Sequence, residues 1–110
     1  MFINVRTEHG THVVGLTGDM VGDQSEFLAT LSDLMSQRGA RVVLDLSGVA
    51  FLNSAAISDL VHVVAQGNVQ ECRIVLAALT PFVTGVLQTT RLDRFFEVYD
   101  SVADALDKLR

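Results

Sequence analysis

The sequence has few of the residues that build covalent or metal-based frameworks. Cysteine occurs once, at Cys72, so an intrachain disulfide is excluded and a reducing compartment fits the composition. Proline also occurs once and tryptophan is absent. The histidines His9, His12 and His62 are dispersed, without the spacing of a zinc site. We therefore expect no metal and no cofactor, and Cys72 is predicted to be a small core residue.

Basic charge and long apolar runs are also scarce. Lysine and arginine number 8 against 13 acidic residues, which gives a formal net charge of −5. No basic stripe is present to neutralise phosphates, so a nucleic acid is not expected as a partner. No apolar run approaches the roughly 20 residues that cross a bilayer, and the first residues lack the order of a signal peptide. The sequence thus predicts a cytoplasmic protein without membrane insertion.

The motifs of common catalytic sites are missing as well. The sequence contains no phosphate-binding loop, nucleophile elbow or dinucleotide fingerprint. Ser54 has no histidine placed to activate it, because the predicted helix phase points His62 outward. Asp45 lies at a strand end, as in receiver domains, but the additional acids and the lysine of a receiver site are absent. Asp45 is therefore predicted to bond backbone N–H groups of the following loop, and the chain is predicted not to be an enzyme.

What is present is typical of one globular α/β domain. Hydrophobic residues make up 49% of the 110 residues, enough for a single core, and we predict one domain over residues 1–110. Phe2 to Glu8 alternates like an edge strand, His9-Gly10 resembles a hairpin turn, and Thr11 to Thr17 predicts the partner strand. Asp23 and Glu26 have capping-box spacing, with Asp23 as the cap. The helix that follows is predicted to end at Arg38-Gly39, and its apolar stripe is Phe27, Leu31, Leu34 and Met35.

The central stretch, residues 41–64, carries the clearest pattern. Val42 to Leu46 reads as a strand buried on both faces of a parallel sheet. Asn53-Ser54 then opens a helix, and either residue is a suitable cap. The apolar stripe of this helix consists of Ile57, Leu60, Val61 and Val64.

The last third repeats the alternation of strand and helix. Residues 72–79 predict a strand, and Thr80-Pro81 has the cap and first-turn proline of a helix. The predicted apolar face of that helix consists of Phe82, Val83, Val86 and Leu87. Residues 95–99 predict a last strand, and Ser101 begins a final helix. The fold class is therefore α/β, with an N-terminal hairpin feeding a mostly parallel sheet of about five strands with four helices.

A candidate binding surface follows from this order. Asn53 and Ser54 lie beyond the carboxyl end of a buried strand, the edge where open α/β sheets usually place their function. The predicted helix phase turns Ala55, Ala56, Asp59, His62 and Val63 outward or to the flank. The loop with Asp19, Met20 and Asp23 belongs to the same edge and would form the rim. These residues are predicted to bind a partner.

The segment VVLDLSGVAFLNSAAI resembles the central signature of STAS domains, the anti-sigma factor antagonists and their relatives in transporters. In that signature a strand ending in Asp-Leu-Ser-Gly precedes Asp-Ser-Ser-Gly-Leu-Gly at a helix start. The family's phosphorylated serine falls on Ser54. This sequence has Asn53, Ala55, Ala56 and Ser58 where the family has Asp, Ser, Gly and Gly. The order of strands and helices is also that of STAS domains, so the resemblance covers essentially the full length.

The resemblance implies a STAS domain that works by protein binding. Its partner would be a serine-kinase anti-sigma factor, which would phosphorylate Ser54 and so end the interaction, and a phosphatase is a further candidate partner. Three alternatives stay open. The domain could be a subunit or regulator of an ABC-type transporter, it could bind a small ligand near Asp45 and Ser54, or Ser54 could be a helix cap alone.

Overall fold

A five-stranded sheet organises the fold. The computed structural model describes residues 2–21 and 24–109. The spatial order is β1-β2-β3-β4-β5; β1 pairs with β2 antiparallel, and the remaining pairs are parallel. The strands are β1 (Phe2–Glu8), β2 (Thr11–Thr17), β3 (Arg41–Gly48), β4 (Arg73–Ala77) and β5 (Val98–Tyr99). The predicted hairpin followed by a mostly parallel sheet is confirmed.

Four helices complete the described part of the chain. They are α1 (Ser25–Leu34), α2 (Ser54–Val69), α3 (Pro81–Thr89) and α4 (Val102–Leu109). Each joins or follows a strand of the parallel part of the sheet, so the fold class is α/β as predicted. The Ser101 hydroxyl accepts a hydrogen bond from the Asp104 N–H over 3.1 Å, which confirms the predicted start of α4. None of these helices is long and apolar enough to cross a bilayer.

The hairpin between β1 and β2 turns within two residues. His9 and Gly10 both have positive φ, at 53° and 78°, the conformation of a type I′ turn. The ladder runs in register from the pair Phe2–Thr17 to the pair Glu8–Thr11. This tight connection places β1 at the edge of the sheet, as its mixed composition predicts.

The strands bury alternate residues on the two faces of the sheet. Helices α1, α2 and α3 cover one face, and their core includes Val14, Leu44 and Leu76. Helix α4 covers part of the other face. The smaller core there is formed by Val13, Val43, Val75, Ala77, Ala105 and Leu109. Burial on both faces explains why β3 and β4 have nearly continuous apolar sequences.

Three predicted element bounds are wrong, and one of them is minor, since β4 spans Arg73–Ala77 rather than residues 72–79. Only Val98–Tyr99 of the predicted strand 95–99 pairs in the sheet, because a 3₁₀ turn over Leu92–Arg94 precedes it and Phe96 is buried in the main core. Helix α1 ends at Leu34 rather than at Arg38-Gly39. Its N-cap is Gln24, which makes no side-chain capping bond. The predicted cap Asp23 lies outside the described residues.

The third helix begins where predicted, but its buried face does not include every residue of the predicted apolar face. The Thr80 hydroxyl accepts from the Val83 N–H over 3.4 Å, and Pro81 takes the first helical position. Val83 and Leu87 are buried, whereas Phe82, expected on the apolar face, is exposed. Cys72 is buried, as predicted.

Candidate functional site at the carboxyl edge of the sheet

The loops after β2 and β3 are bonded to each other at the carboxyl edge of the sheet. The Gly18 N–H donates to the Gly48 carbonyl over 2.9 Å, and the Met20 N–H donates to the Phe51 carbonyl over 2.9 Å. The Asn53 N–H returns a bond to the Met20 carbonyl over 3.3 Å. Met20 and Leu52 also form a parallel bridge. The two loops therefore continue the pairing of β2 and β3 beyond the strands.

Helix α2 begins at this edge with Asn53 as its cap. Asn53 has extended backbone angles (φ −98°, ψ 179°), and its side-chain oxygen accepts from the Ala56 N–H over 2.9 Å. Ser54 is the first helical residue and is exposed. The capping role considered for Ser54 therefore belongs to Asn53, and the Ser54 hydroxyl lies at the open start of a 16-residue helix.

Asp45 supports the loop that follows β3. Its side-chain oxygen accepts a hydrogen bond from the Ser47 N–H over 3.0 Å, and the residue is half-buried. This is the structural role that the sequence predicts for Asp45. The bond holds the end of β3 before the chain turns toward Ser54.

The orientation of α2 corrects two predictions of exposure. The residues of α2 that face the core are Ala56, Leu60, Val63, Val64 and Gly67. Val63 is only 2% exposed and Ala56 is fully buried, so the prediction that Val63 is exposed is wrong. Ile57 and Val61, expected to face the sheet, are half-buried. Relative to the predicted phase, the helix is rotated so that Ala56 and Val63 are more buried than Ile57 and Val61, and Gly67 packs closely against Ile74.

The other predicted site residues differ in their accessibility. Asp19, Ala55 and His62 are exposed, and Asp59 is half-buried. Met20 is fully buried, because its side chain lies on the core side of the bridge to Leu52. Met20 thus supports the edge instead of forming its rim, and Asp23 lies outside the described residues.

Phe51 and Phe82 form an exposed aromatic pair that the sequence does not predict. The rings of Phe51 and Phe82 have centroids 5.2 Å apart and planes tilted by 35°. The Thr80 hydroxyl donates to the Val49 carbonyl over 2.9 Å, and this bond holds the start of α3 against the loop that carries Phe51. The exposure of these two side chains depends on how α3 packs on the sheet. The apolar periodicity of the sequence instead assigns Phe82 to the core.

Ion pairs lie at the opposite edge of the sheet. Arg38 pairs with Glu71, and Arg73 pairs with Glu97. Each arginine lowers the pKa of its glutamate below the ordinary value of 4.5, mainly through the side-chain hydrogen bond. Over residues 2–21 and 24–109, no group of three metal-binding side chains is placed to hold an ion.

Comparison with known proteins decides the family. The family model described as "Mlab, STAS domain" matches residues 3–100. The chain belongs to the STAS domain family. A solved STAS domain from Planctomyces limnophilus, described as an anti-sigma-factor antagonist, has a TM-score of 0.84 at 23% identity over 97% of each chain.

Two further solved structures share the fold. The Bacillus cell fate determinant SpoIIAA in its phosphorylated form has a TM-score of 0.74 at 18% identity, over 99% of this chain and 100% of that one. A sulfate transporter family protein from Wolinella succinogenes has a TM-score of 0.74 at 13% identity, over 94% of this chain and 88% of that one. At these identities the likeness establishes the fold, which is a single STAS fold.

Proposed function

We propose that this STAS domain is an anti-sigma factor antagonist, which binds a serine-kinase anti-sigma factor and is released by phosphorylation at Ser54. The observation that carries the proposal is the position of Ser54. It is exposed at the first position of α2, and Asn53 beside it makes the capping bond. The serine that the STAS signature places here is therefore open to an enzyme and not needed for the cap.

The start of α2 is also a favourable place for a phosphoryl group. Free N–H groups and the helix macrodipole stabilise negative charge at a helix N-terminus. Phosphorylation would add about 1.5 to 2 negative charges without requiring the fold to change. The added charge would act on the binding surface of Asp19, Asn53, Ser54, Ala55, Asp59 and His62, where a docked partner would have to strip water from the phosphate.

The structural likeness supports the same function. The P. limnophilus protein is described as an anti-sigma-factor antagonist, and the Bacillus relative is known in a phosphorylated form. Both share the fold over nearly the full chain. A protein of this fold is thus compatible with a phosphate and with a regulatory partner, and we carry that role to this chain as a proposal.

Phosphorylation in vitro tests the proposal. The chain is incubated with purified candidate serine-kinase anti-sigma factors and Mg²⁺-ATP, and phosphopeptides are mapped by mass spectrometry. We expect one phosphate on wild type and none on Ser54→Ala, while Ser54→Ala still binds the kinase. Ser58→Ala is the matched control, because Ser58 is also exposed and lies one turn further along α2.

The binding measurement gives the contradicting outcome. Ser54→Asp is expected to fold normally and to bind the kinase more weakly than wild type. The loss of binding should be partial, because aspartate carries less charge than phosphoserine. A wild-type chain that is never phosphorylated, together with Ser54→Asp that binds as tightly as wild type, would rule out the switch.

A second candidate is a STAS regulator of a transporter. The likeness to the sulfate transporter family protein favours it. So do Asn53, Ala55 and Ala56, which depart from the STAS signature around the serine. In this case the partner would be a transporter ATPase, and binding would not respond to Ser54→Asp.

A further inference from the structure

An apolar surface lies beside Ser54 on the carboxyl edge. Phe51 is 42% exposed and Phe82 is 45% exposed, although both are large aromatic side chains. Val21, on the adjoining loop, is 47% exposed. Gly85 and Val86 line an open groove of about 390 Å³ that continues from Phe82 along α3. We call Val21, Phe51, Phe82, Gly85 and Val86 the aromatic patch.

Hydrogen bonds fix the aromatic patch relative to Ser54. Phe51 lies three residues before Ser54 in the loop that leads into α2, and its carbonyl accepts from the Met20 N–H on the loop that carries Val21. The bond from Thr80 to the Val49 carbonyl holds Phe82 against Phe51. Ser54 and the patch therefore belong to one continuous surface, with Asp19 beside it.

The cations that the structure describes lie away from the carboxyl edge of the sheet, whereas acids lie at both edges. The carboxyl edge carries acids at loop ends or in the first two turns of helices, namely Asp19, Glu26, Asp59, Asp100 and Asp104. Four arginines lie toward the opposite edge: Arg38, Arg41 and Arg73 precede or begin β3 and β4, and Arg6 pairs with Val13 near the amino end of β2. Three of the four, Arg6, Arg38 and Arg73, form ion pairs with glutamates there. The other cations that the structure describes follow or end α3 and α4, namely Arg91, Arg94 and Lys108. The described part of the carboxyl edge is thus acidic around an apolar centre.

We propose that the aromatic patch anchors a protein partner that presents an apolar pocket with lysine or arginine on its rim. The inference rests on the proposed function and specifies the chemistry of that partner's surface. Exposed aromatic side chains at the centre of an interface contribute most of the binding energy when a pocket covers them. Acids around them attract a basic rim and raise the association rate. A second copy of this chain is disfavoured, because two acidic edges would face each other.

The same arrangement explains how a phosphate at Ser54 would oppose binding. The partner's cations would face the acids of the rim, such as Asp19 and Asp59. The phosphate would instead lie at the start of α2, before Ala55 and three residues after Phe51, where an apolar pocket that covers the patch would leave it without a cation. Burying a charged group without a partner costs far more free energy than an exposed ion pair returns.

Aromatic truncation provides the first test. The probe is the purified serine-kinase anti-sigma factor with ADP, and the dissociation constant is measured by calorimetry. We expect Phe82→Ala to raise the dissociation constant by about tenfold or more. Phe95→Ala is the matched control, since Phe95 is also 42% exposed but lies outside the aromatic patch, against Phe96. It should leave the dissociation constant unchanged.

A substitution at Gly85 separates binding from folding. A Cβ atom at Gly85 would meet nothing within 4 Å, so Gly85→Gln fits the fold. Removing glycine from a helix interior stabilises the helix, whereas the new side chain fills the groove. We therefore expect a higher melting temperature together with weaker binding, a combination that misfolding does not produce.

Charge variants test the basic rim. Asp19→Asn should lower the association rate constant several-fold at low salt, and the difference from wild type should shrink at high salt. Asp33→Asn removes the same charge from the last turn of α1, toward the opposite edge, and should have no such effect.

The outcomes distinguish this inference from the proposed function. If the kinase phosphorylates Ser54 but binds Phe82→Ala and Gly85→Gln with the wild-type dissociation constant, the aromatic anchor is overturned and the proposed function stands. If the kinase neither binds nor phosphorylates wild type, the proposed function fails, and the anchor that rests on it fails too. A dimer in sedimentation that Phe82→Ala dissociates would identify a second copy as the occupant and overturn the proposal.

Discussion

At the start of α2, the capping hydrogen bond comes from Asn53 and the hydroxyl of Ser54 lies next to it. Replacing an asparagine cap by alanine typically costs about 1 kcal/mol. Asn53→Ala should therefore lower the free energy of unfolding by about this amount, whereas Ser54→Ala should change it little. Urea unfolding of the two variants measures the difference. Equal losses would mean that both side chains cap the helix.

The same residue bears on the departure from the STAS signature. Asn53→Asp restores the acid of the family and retains a good cap, because Asp and Asn are similar in capping strength. Ala56 is different, since it is fully buried in the first turn of α2. Restoring glycine at this position would cost about 0.5 to 1 kcal/mol of helix stability.

In α2, the rotation of the helix about its axis determines which side chains are buried. Val63 is 2% exposed and packs in the main core, whereas its neighbour His62 is exposed. Val63→Lys should unfold the domain as Leu60→Lys would, because either lysine places a charge in the core. His62→Lys should keep the wild-type melting temperature and is the matched control. Circular dichroism melting curves measure all three variants, and a folded Val63→Lys variant would contradict the buried orientation.

The sequence predicts the existence of α2 but not its rotation. The predicted stripe and the observed one share Leu60 and Val64, so both satisfy helical periodicity. The choice depends on tertiary contacts. A Cβ atom at Gly67 would come within 2.7 Å of the end of the Ile74 side chain, so a larger residue there would require Ile74 to shift. Helical periodicity does not predict such a contact. By contrast, the alternation of residues and the turn residues are enough to predict β1, β2 and the hairpin between them.

For the whole molecule, the ion pairs contribute to how the free energy of unfolding changes at acidic pH. The pKa of Glu97 is lowered by Arg73, and that of Glu71 by Arg38. A lowered folded-state pKa stabilises the fold above the ordinary carboxyl value of 4.5, and this contribution is lost as the pH falls through the folded-state pKa. Arg73→Gln should therefore lose less stability than wild type as the pH falls below 4.5. The difference should be small, because the pair is exposed.

Urea midpoints across this pH range provide the measurement. Arg94→Gln is the control, because it removes a cation from the same half of the molecule and leaves the Arg73–Glu97 pair in place. An acid response of Arg73→Gln identical to that of wild type would show that the ion pair does not form in solution.

Contacts between residues that are distant in the sequence limit how much of the site can be predicted. The polar residues after β3 are visible in the sequence because they follow a recognisable strand and open a recognisable helix. The contact between Phe51 and Phe82 depends on the docking of α3, which the Thr80 bond to Val49 fixes. The position of the described cations away from the carboxyl edge likewise follows from the directions of the strands and helices. Both are properties of the assembled fold.

The paired loops after β2 and β3 have a consequence for the entropy of binding. Backbone bonds from Gly18 to Gly48 and between Met20, Phe51 and Asn53 hold these loops before any partner arrives. Fixing one backbone residue costs about 1 to 2 kcal/mol, and a preorganised surface does not pay this cost on association. A modification of Ser54 would then change the chemistry of a rigid surface rather than its shape, so release of the partner would need no slow conformational step.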